Sequence, residues 1–578
     1  MYSLKKLTWA VKPIALAIAV TTLAGCETLS SLTAMNSDRV VTGLERVGRS
    51  ASQGFDQSAA EIVAFDKTRQ RIFTVNANSG KVDVFDGSNV SDLKLLQTLD
   101  VAAMVMQAKV TVTSVSQVGA ANSVAVHGDL AAVAVEAGTK TDAGWVVFIN
   151  LTDLSVASVV DSGSLPDMVT FTPDGSKAIV AIEGEPTDYQ TDPEGRIDII
   201  DTQTFTLRSA TFTDFNVGGL RHSELPEDVR VFGTIVDANG KAIRPSTVAE
   251  DLEPEYVAVS ADSKTAYVSL QEANAIAVVD IDTASVSKIF ALGYKDHSLV
   301  GNGIDASDKD KKANIATWPV YGMYQPDSIA TYRVNGKDYI VTANEGDSRA
   351  DWGTAQTDGT LDMAGDPLNL NMEEFRVKDL KLDPTAFPNA DQLQDKAALG
   401  RLKVTSKLGD TDQDGDFDQL YVYGARSFSI WDATDGTLVF DSGDQFEQKT
   451  LALYGDQFNN DNGESDPDGR SDAKGPEPEA ITVGEIDGKH YAFIGLERMG
   501  GVMVYDITNP SAPEFISYVN DRDLSKDPLV DKAAAGDLGP EGFKFVPEYD
   551  SPNGKRLLIV GNEVSGTTSV YQIQLSDK

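Results

Sequence analysis

The chain has 578 residues, 41% of them hydrophobic, and its 49 Lys and Arg against 88 Asp and Glu leave a formal charge of −39. That apolar share suffices for a large core and excludes global disorder, while so acidic a surface repels phosphate and argues against a nucleic-acid partner. One cysteine excludes an intramolecular disulfide, and four scattered histidines (His127, His222, His297, His490) form no paired ligand motif, which speaks against a histidine-rich zinc site.

The N-terminus reads as an address. Lys5, Lys6 and Lys12 precede the apolar stretch from Ile14 to Val20, which has the length of a signal-peptide core and is too short to span a bilayer. It ends in Leu23-Ala24-Gly25-Cys26, which resembles a bacterial lipoprotein box and holds the only cysteine. The resemblance implies cleavage before Cys26, lipidation of Cys26, and anchoring to a lipid bilayer through the N-terminal acyl chains. Glu27 follows, not aspartate, which by analogy with enterobacterial sorting implies the outer membrane, on its periplasmic or surface side. Residues 1–25 are then a signal peptide and 26–38 the lipidated cysteine with a polar tether. No later stretch is a run of about 18 apolar residues, so the remainder is expected to be exported and soluble.

From residue 55 onward, short period-2 or fully apolar runs are broken by Asp, Asn and Gly. One helix is expected after Asn389, through Leu393 and Ala397 to Gly400. The runs repeat as a unit of four strands, clearest in Tyr256–Val259, Ala266–Leu270, Ala275–Asp280 and Val286–Phe290. The same order starts at Ile62, Val124, Met168, Ile329, Leu402, Ile481 and Phe543, and third strands tend to end in Asp: Asp86, Asp201, Asp432, Asp506. Repeats of four short strands, each roughly 40 residues before insertions, predict an all-β fold, a β-propeller of four-stranded blades over 39–578. Eight units are countable. The Leu402 unit is weak and can instead complete its predecessor, which would make seven. Residues 39–46 are placed to supply the last unit's fourth strand, and two β-sandwiches are the structural alternative. Insertions fall at 292–325, 350–400, 443–475 and 519–538.

Acidic residues recur in register. A Pro-acid pair precedes many first strands, giving Asp167, Glu255, Asp327, Glu479 and Glu541. Glu183, Glu272, Glu345, Glu497 and Glu563 end second strands, with Glu185 and Asp347 two places beyond Glu183 and Glu345. First and second strands run antiparallel, so these acids share one end of each hairpin, and the first strand lines a propeller's axis. They are expected to converge at the channel mouth, where a cation or basic side chains must offset their repulsion. Hard oxygen ligands without His or Cys point to Ca2+, with Mg2+, Mn2+ or Fe behind. A second cluster, Asp410-Thr411-Asp412-Gln413-Asp414-Gly415-Asp416-Phe417-Asp418, fits the first half of a calcium loop. Tyr421 stands where an EF-hand has its Glu, so a dockerin-like or repeat-type turn is the closer likeness. The run from Asp466 to Asp472 is a weaker relative.

Taken together, Leu165-Pro166-Asp167, Glu183-Gly184-Glu185-Pro186, Asp192-Pro193-Glu194-Gly195, Asp251-Leu252-Glu253-Pro254-Glu255-Tyr256, Leu270-Gln271-Glu272, Tyr321-Gly322-Met323-Tyr324-Gln325-Pro326-Asp327, Ala343-Asn344-Glu345-Gly346-Asp347, Lys474-Gly475-Pro476-Glu477-Pro478-Glu479 and Asn562-Glu563-Val564-Ser565-Gly566 resemble the bacterial choice-of-anchor I family. The likeness spans about residues 45–576. It implies a propeller-like extracellular domain; members have been labelled alkaline phosphatase-like or cell-surface glycoprotein-like. The family is named for varied C-terminal anchors. This sequence ends at Lys578 with no recognisable one, and the N-terminal lipid is expected to take that role.

Two functions follow as expectations. One is a metal-binding surface propeller whose funnel recognises a small-molecule, glycan or protein ligand. The other is a metal-dependent phosphoesterase in which Arg349, Lys474 and Arg498 clamp phosphate. No Gly-x-Ser-x-Gly elbow, P-loop or Asp-Ser-Ala motif is present, against a serine hydrolase or a nucleotide-triphosphate machine.

Overall fold

Among the described residues, seven four-stranded antiparallel sheets follow one another along the chain. The computed structural model describes residues 39–577 apart from 188, 239–240 and 350–372, so the lipoprotein box lies outside the described residues. Inner strands start at Val63, Val118, Pro166, Pro254, Ile329, Pro478 and Pro540. Each contacts the inner strand before and after it, and the last contacts the first. The sheets therefore close a ring as a seven-bladed β-propeller.

Each seam between blades carries its own apolar cluster. Phe73 and Val84 of blade one meet Val133 and Val147 of blade two, and Ala132 and Phe148 meet Val169 and Ile200. Ile179 and Ile197 meet Val257 and Val268; Tyr267 and Ile276 meet Ile340 and Trp431. Val341 and Phe428 meet Ile494 and Tyr505, Phe493 meets Leu558, and Val570 and Ile559 meet Phe65 and Ile72. Because both faces of every blade are covered, the second and third strands read as continuous apolar runs rather than as alternation.

The aspartates that end third strands have a local cause. Asp86, Asp201, Asp432 and Asp506 accept from the backbone N–H two residues on, at 3.0, 3.0, 2.9 and 3.0 Å. These side-chain turns start the hairpin into the outermost strand.

The Leu402 run is not a blade. Lys403–Thr405 pairs with Glu374–Arg376 in a separate two-stranded sheet, while Ser427–Asp432 pairs onto Lys337–Asn344 and Leu438–Asp441 onto Ser427–Asp432, which finishes blade five. A long insertion between its second and third strands made one blade read as two. The final blade takes Arg39–Arg49 as its outermost strand, paired with Thr567–Asp577, as the sequence places it. The helix expected from Asn389 to Gly400 is one turn, Ala390–Leu393, after which turns continue to Gly400. The Gln394 side chain donates to the carbonyls of Val377 and Leu380, tying the chain to its neighbour where a helix would go on. A ten-residue helix, Gln445–Tyr454, lies instead in the following insertion.

Residues 304–320 and 375–422 build a core of their own, from Ile304, Val320, Phe375, Leu399, Phe417 and Val422 among others. A further insertion between blades three and four, with the hairpin Thr234–Val236 and Ala242–Pro245, was not expected from the sequence.

Candidate functional site

The inner strands enter the sheet through a shared irregularity. In blade three Pro166 pairs with Ile182 and then Val169 with Val180, so Asp167 and Met168 sit in a bulge. Blades four and six repeat this with Pro254, Val257 and with Pro478, Ile481. The residue before the Pro is left-handed at Leu165, Gln325, Glu477 and Gly539. A sharp entry turn followed by a bulge re-aims the next side chain, and that side chain is the acid.

The pairing registers align the seven blades residue by residue. The position of Asp167 is Glu255, Asp327, Glu479 and Glu541 in blades four to seven. In blade one it is Glu61 and in blade two Asn122. The second-strand position of Glu183 is Glu136, Glu345, Glu497 and Glu563 in four other blades, but Ala77 in blade one and Gln271 in blade four. Glu272 lies one residue beyond. Two rings of acids thus surround the axis. Glu61, Asn122, Asp167, Glu183, Asp327 and Glu541, from five blades, line one cavity of about 300 Å³.

Sequence reasoning missed Glu61 and Glu136. Ala60 replaces the Pro before Glu61, and Glu136 ends a second strand whose first strand lacks the Pro-acid pair. The alignment of strands, visible from the pairing, recovers both.

Six carboxylates in a ring repel. A pair of unit charges about 4 Å apart costs about 4 kcal/mol at an effective dielectric of 20. Burial, and then the neighbouring carboxylates, push Glu61 up to about 8 and Asp167 and Asp327 up to about 7, and hold Glu255, Glu479 and Glu541 well above the ordinary carboxylate range. Asp167 and Asp327 come from different blades, as do Asp327 and Glu541, so these interactions cross the channel. One carboxylate oxygen each of Glu255, Glu479 and Glu541 is buried with no hydrogen-bond partner. Among the described residues, no Lys or Arg forms an ion pair with any of the six.

The basic side chains sit in the outer ring. Lys140 pairs with Glu185. Lys474 pairs with Glu345 and lies 3.6 Å from Glu477 and 4.0 Å from Asp347. Arg498 donates from Nε to Glu477 at 2.9 Å and lies 3.3 Å from Glu497, and Arg470 donates to Glu477 at 3.0 Å. Burial would raise the Glu477 carboxyl, but Lys474, Arg498 and Arg470 together hold it well below its usual range. The expected phosphate-clamp residues are thus largely engaged. Lys474 and Arg498 are committed to carboxylates. Arg349, 1% exposed, is committed to Asp251 and Glu253, each at 2.6 Å, and its backbone N–H donates to Glu373.

Two acidic triads bring an oxygen from each member within 4.8 Å of the others in the funnel: Glu61, Glu541 and Glu563, and Glu345, Glu477 and Glu497. Lys474 and Arg498 already occupy the second.

The aspartate turn folds back on itself. Gln413 and Gly415 are left-handed, the N–H groups of Asp414 and Gly415 donate to Asp410, and Thr411 donates to Asp418. Asp410, Asp412 and Asp418 converge, and so do Asp416 and Asp418 with Asp383, while Lys381 pairs with Asp416 at 2.8 Å. Asp414 is not in either group. In the weaker run, Asp468 accepts from Ser471 and Asp472 pairs with Arg376 and Arg401.

Among known proteins, the model of the choice-of-anchor I domain matches residues 61–510. Gigasin-3a of Magallana gigas is 29% identical over 191 residues, 32% of this chain and 67% of that protein. The mesenchyme-specific cell surface glycoprotein of Strongylocentrotus purpuratus is 26% identical over 347 residues, 56% of this chain and 44% of that protein, so the chain matches less than half its length. Hydrazine synthase of Kuenenia stuttgartiensis overlaps 89% of this chain and 96% of its own at a TM-score of 0.43 and 12% identity. The β-propeller domain of Cps50 (Swd1) from Myceliophteria thermophila overlaps 93% of this chain and all of its own at 0.39 and 7%.

Proposed function

The chain belongs to the choice-of-anchor I domain family, and from that premise we propose that it is an exported, lipid-anchored surface propeller that holds divalent cations, calcium first, in its acidic funnel and recognises a ligand there. The observation that carries this reading is the inner ring of Glu61, Asp167, Glu255, Asp327, Glu479 and Glu541, none ion-paired among the described residues, with partnerless buried oxygens at three of them. Carboxylate oxygens without nitrogen or sulfur donors suit a hard cation, which would neutralise the ring and leave open coordination positions for hydroxyl or carboxyl groups of a ligand. The aspartate turn is a second calcium position. A relative named as a cell-surface glycoprotein supports a place outside the cell, and the lipoprotein box supports the anchor. Among the described residues no helix is long and apolar enough to cross a membrane.

The alternative, a metal-dependent phosphoesterase, draws on Lys474 and Arg498 beside Glu345, Glu477 and Glu497. Both cations are already committed to carboxylates, which favours binding over catalysis. Calorimetric titration of the chelator-treated full-length chain tests the reading: saturable calcium binding with more than one equivalent is expected, and its absence overturns it. Hydrolysis of a chromogenic phosphate ester by the calcium-loaded chain would reverse the order of the two readings. For the anchor, Cys26→Ala is expected to leave an unprocessed, unlipidated precursor, and normal lipid-modified mature protein in that variant would remove this part.

A further inference from the structure

The two acidic triads differ in one respect. Glu345, Glu477 and Glu497 surround Lys474, with Arg470 and Arg498 alongside, so that group is neutralised from within. Glu61, Glu541 and Glu563 converge as closely and have no Lys or Arg ion-paired to them among the described residues. The Ser58 Oγ donates to Glu563 at 2.7 Å and fixes that carboxylate.

The triad also sits at a particular place in the ring. Glu541 and Glu563 belong to the last blade, Glu61 to the entry of the first blade. The backbones close tightly there: a Cβ at Gly542 or Gly561 would lie 2.4 or 2.0 Å from the carbonyl oxygen of Glu61. Two further observations mark a ligand position. The Oε2 of Glu541 is buried without a partner. Ser123, 1% exposed, has a partnerless Oγ and lines the same cavity of about 300 Å³ as Glu61 and Glu541.

We infer that Glu61, Glu541 and Glu563 form a divalent-cation site at the seam between the first and last blades, and that the bound ion clasps the ring shut. This rests on the reading of the funnel as cation-binding and narrows it to one position. Three glutamates, mono- or bidentate, supply enough hard oxygens for calcium, with water or the Ser123 hydroxyl filling the remaining positions. An ion shared by two blades binds only the closed ring, so it stabilises closure by mass action.

Equilibrium dialysis with radioactive calcium and hydrogen exchange, both on the full-length chain, test this. Wild type, Glu61→Gln with Glu563→Gln, Glu61→Gln alone, and Asp410→Asn with Asp412→Asn are compared. Both seam variants are expected to bind one calcium fewer than wild type. They are also expected to lose the calcium-dependent slowing of exchange in 39–49 and 540–577, which the turn variant retains. A seam variant that keeps the full number of equivalents overturns the inference, as does calcium that leaves exchange at the seam of wild type unchanged, while the funnel reading stands on the calcium still bound. Wild type that binds no calcium at all overturns both.

Discussion

Arg349 shows how one residue changes meaning between sequence and structure. In sequence it stands beside a run of acids and reads as a phosphate clamp. In the fold it lies under Asp251 and Glu253, with its guanidinium also over the Phe232 ring at 4.7 Å. Its removal would leave two buried carboxylates without their cation, a loss of about 3–5 kcal/mol. Arg349→Ala is therefore expected to lower the urea midpoint strongly, with or without calcium. A variant of wild-type stability would show that the pair is not structural.

Glu61 makes the converse point. It lacks the preceding proline that flags its counterparts, yet it occupies the same position on the axis. The Pro is one way to force the entry turn; the bulge and the neighbouring blade are another.

Among elements, the strand Arg39–Arg49 is the most demanding. It completes the last blade across the whole length of the chain, and Val41 receives the Tyr491 hydroxyl as acceptor for its N–H at 3.4 Å. A Cβ at Gly48 would lie 1.6 Å from the Val90 carbonyl oxygen, a backbone atom that cannot rotate away. Gly48→Ala is expected to cost about 1–3 kcal/mol, by forcing blade one and the closing strand apart. Thermal unfolding measures it, and an unchanged midpoint would mean that the strand shifts freely.

The aspartate turn is the other element with a consequence. If Asp410 and Asp412 hold calcium, changing both to Asn is expected to remove the part of the calcium-dependent rise in Tm that this loop supplies, with no loss in chelator. The same calcium-dependent rise in wild type and variant would make the loop a solvated turn, held by its own N–H groups and Lys381.

For the whole molecule, the funnel sets the dependence of stability on pH. Glu61, Asp167 and Asp327 are pushed up to about 8, 7 and 7 by burial and by each other's neighbours, against ordinary carboxylate values near 4 in the unfolded chain. The folded state then binds more protons than the unfolded state between about pH 4 and 8, so stability falls as pH rises through that window. Each group contributes a slope of up to about 1.4 kcal/mol per pH unit. In chelator, the Tm of the full-length chain is expected to fall from pH 5 to pH 8, and calcium to flatten that fall. A metal-free Tm that climbs over this range would contradict the crowded, uncompensated ring.

The sequence by itself determined what is local. Apolar runs of strand length, turns with Asp at the end of third strands, and an acid at the start of first strands are set by neighbours a few residues apart. They suffice for the hairpins, the propeller and the sharing of one end by the acids. The closing strand was also legible, because the final unit lacked a fourth run. Only the tertiary structure decided that the ring has seven blades, since the second and third strands of blade five, Lys337–Asn344 and Ser427–Asp432, are separated by an insertion with its own core. Only it decided which acids are neutralised. Lys474 reaches Glu345, and Arg349 reaches Asp251, across long stretches of chain. The physical reason is that strand pairing and turn chemistry act between sequence neighbours, whereas ring closure and buried ion pairs depend on which distant segments the packed blades bring within a few ångströms.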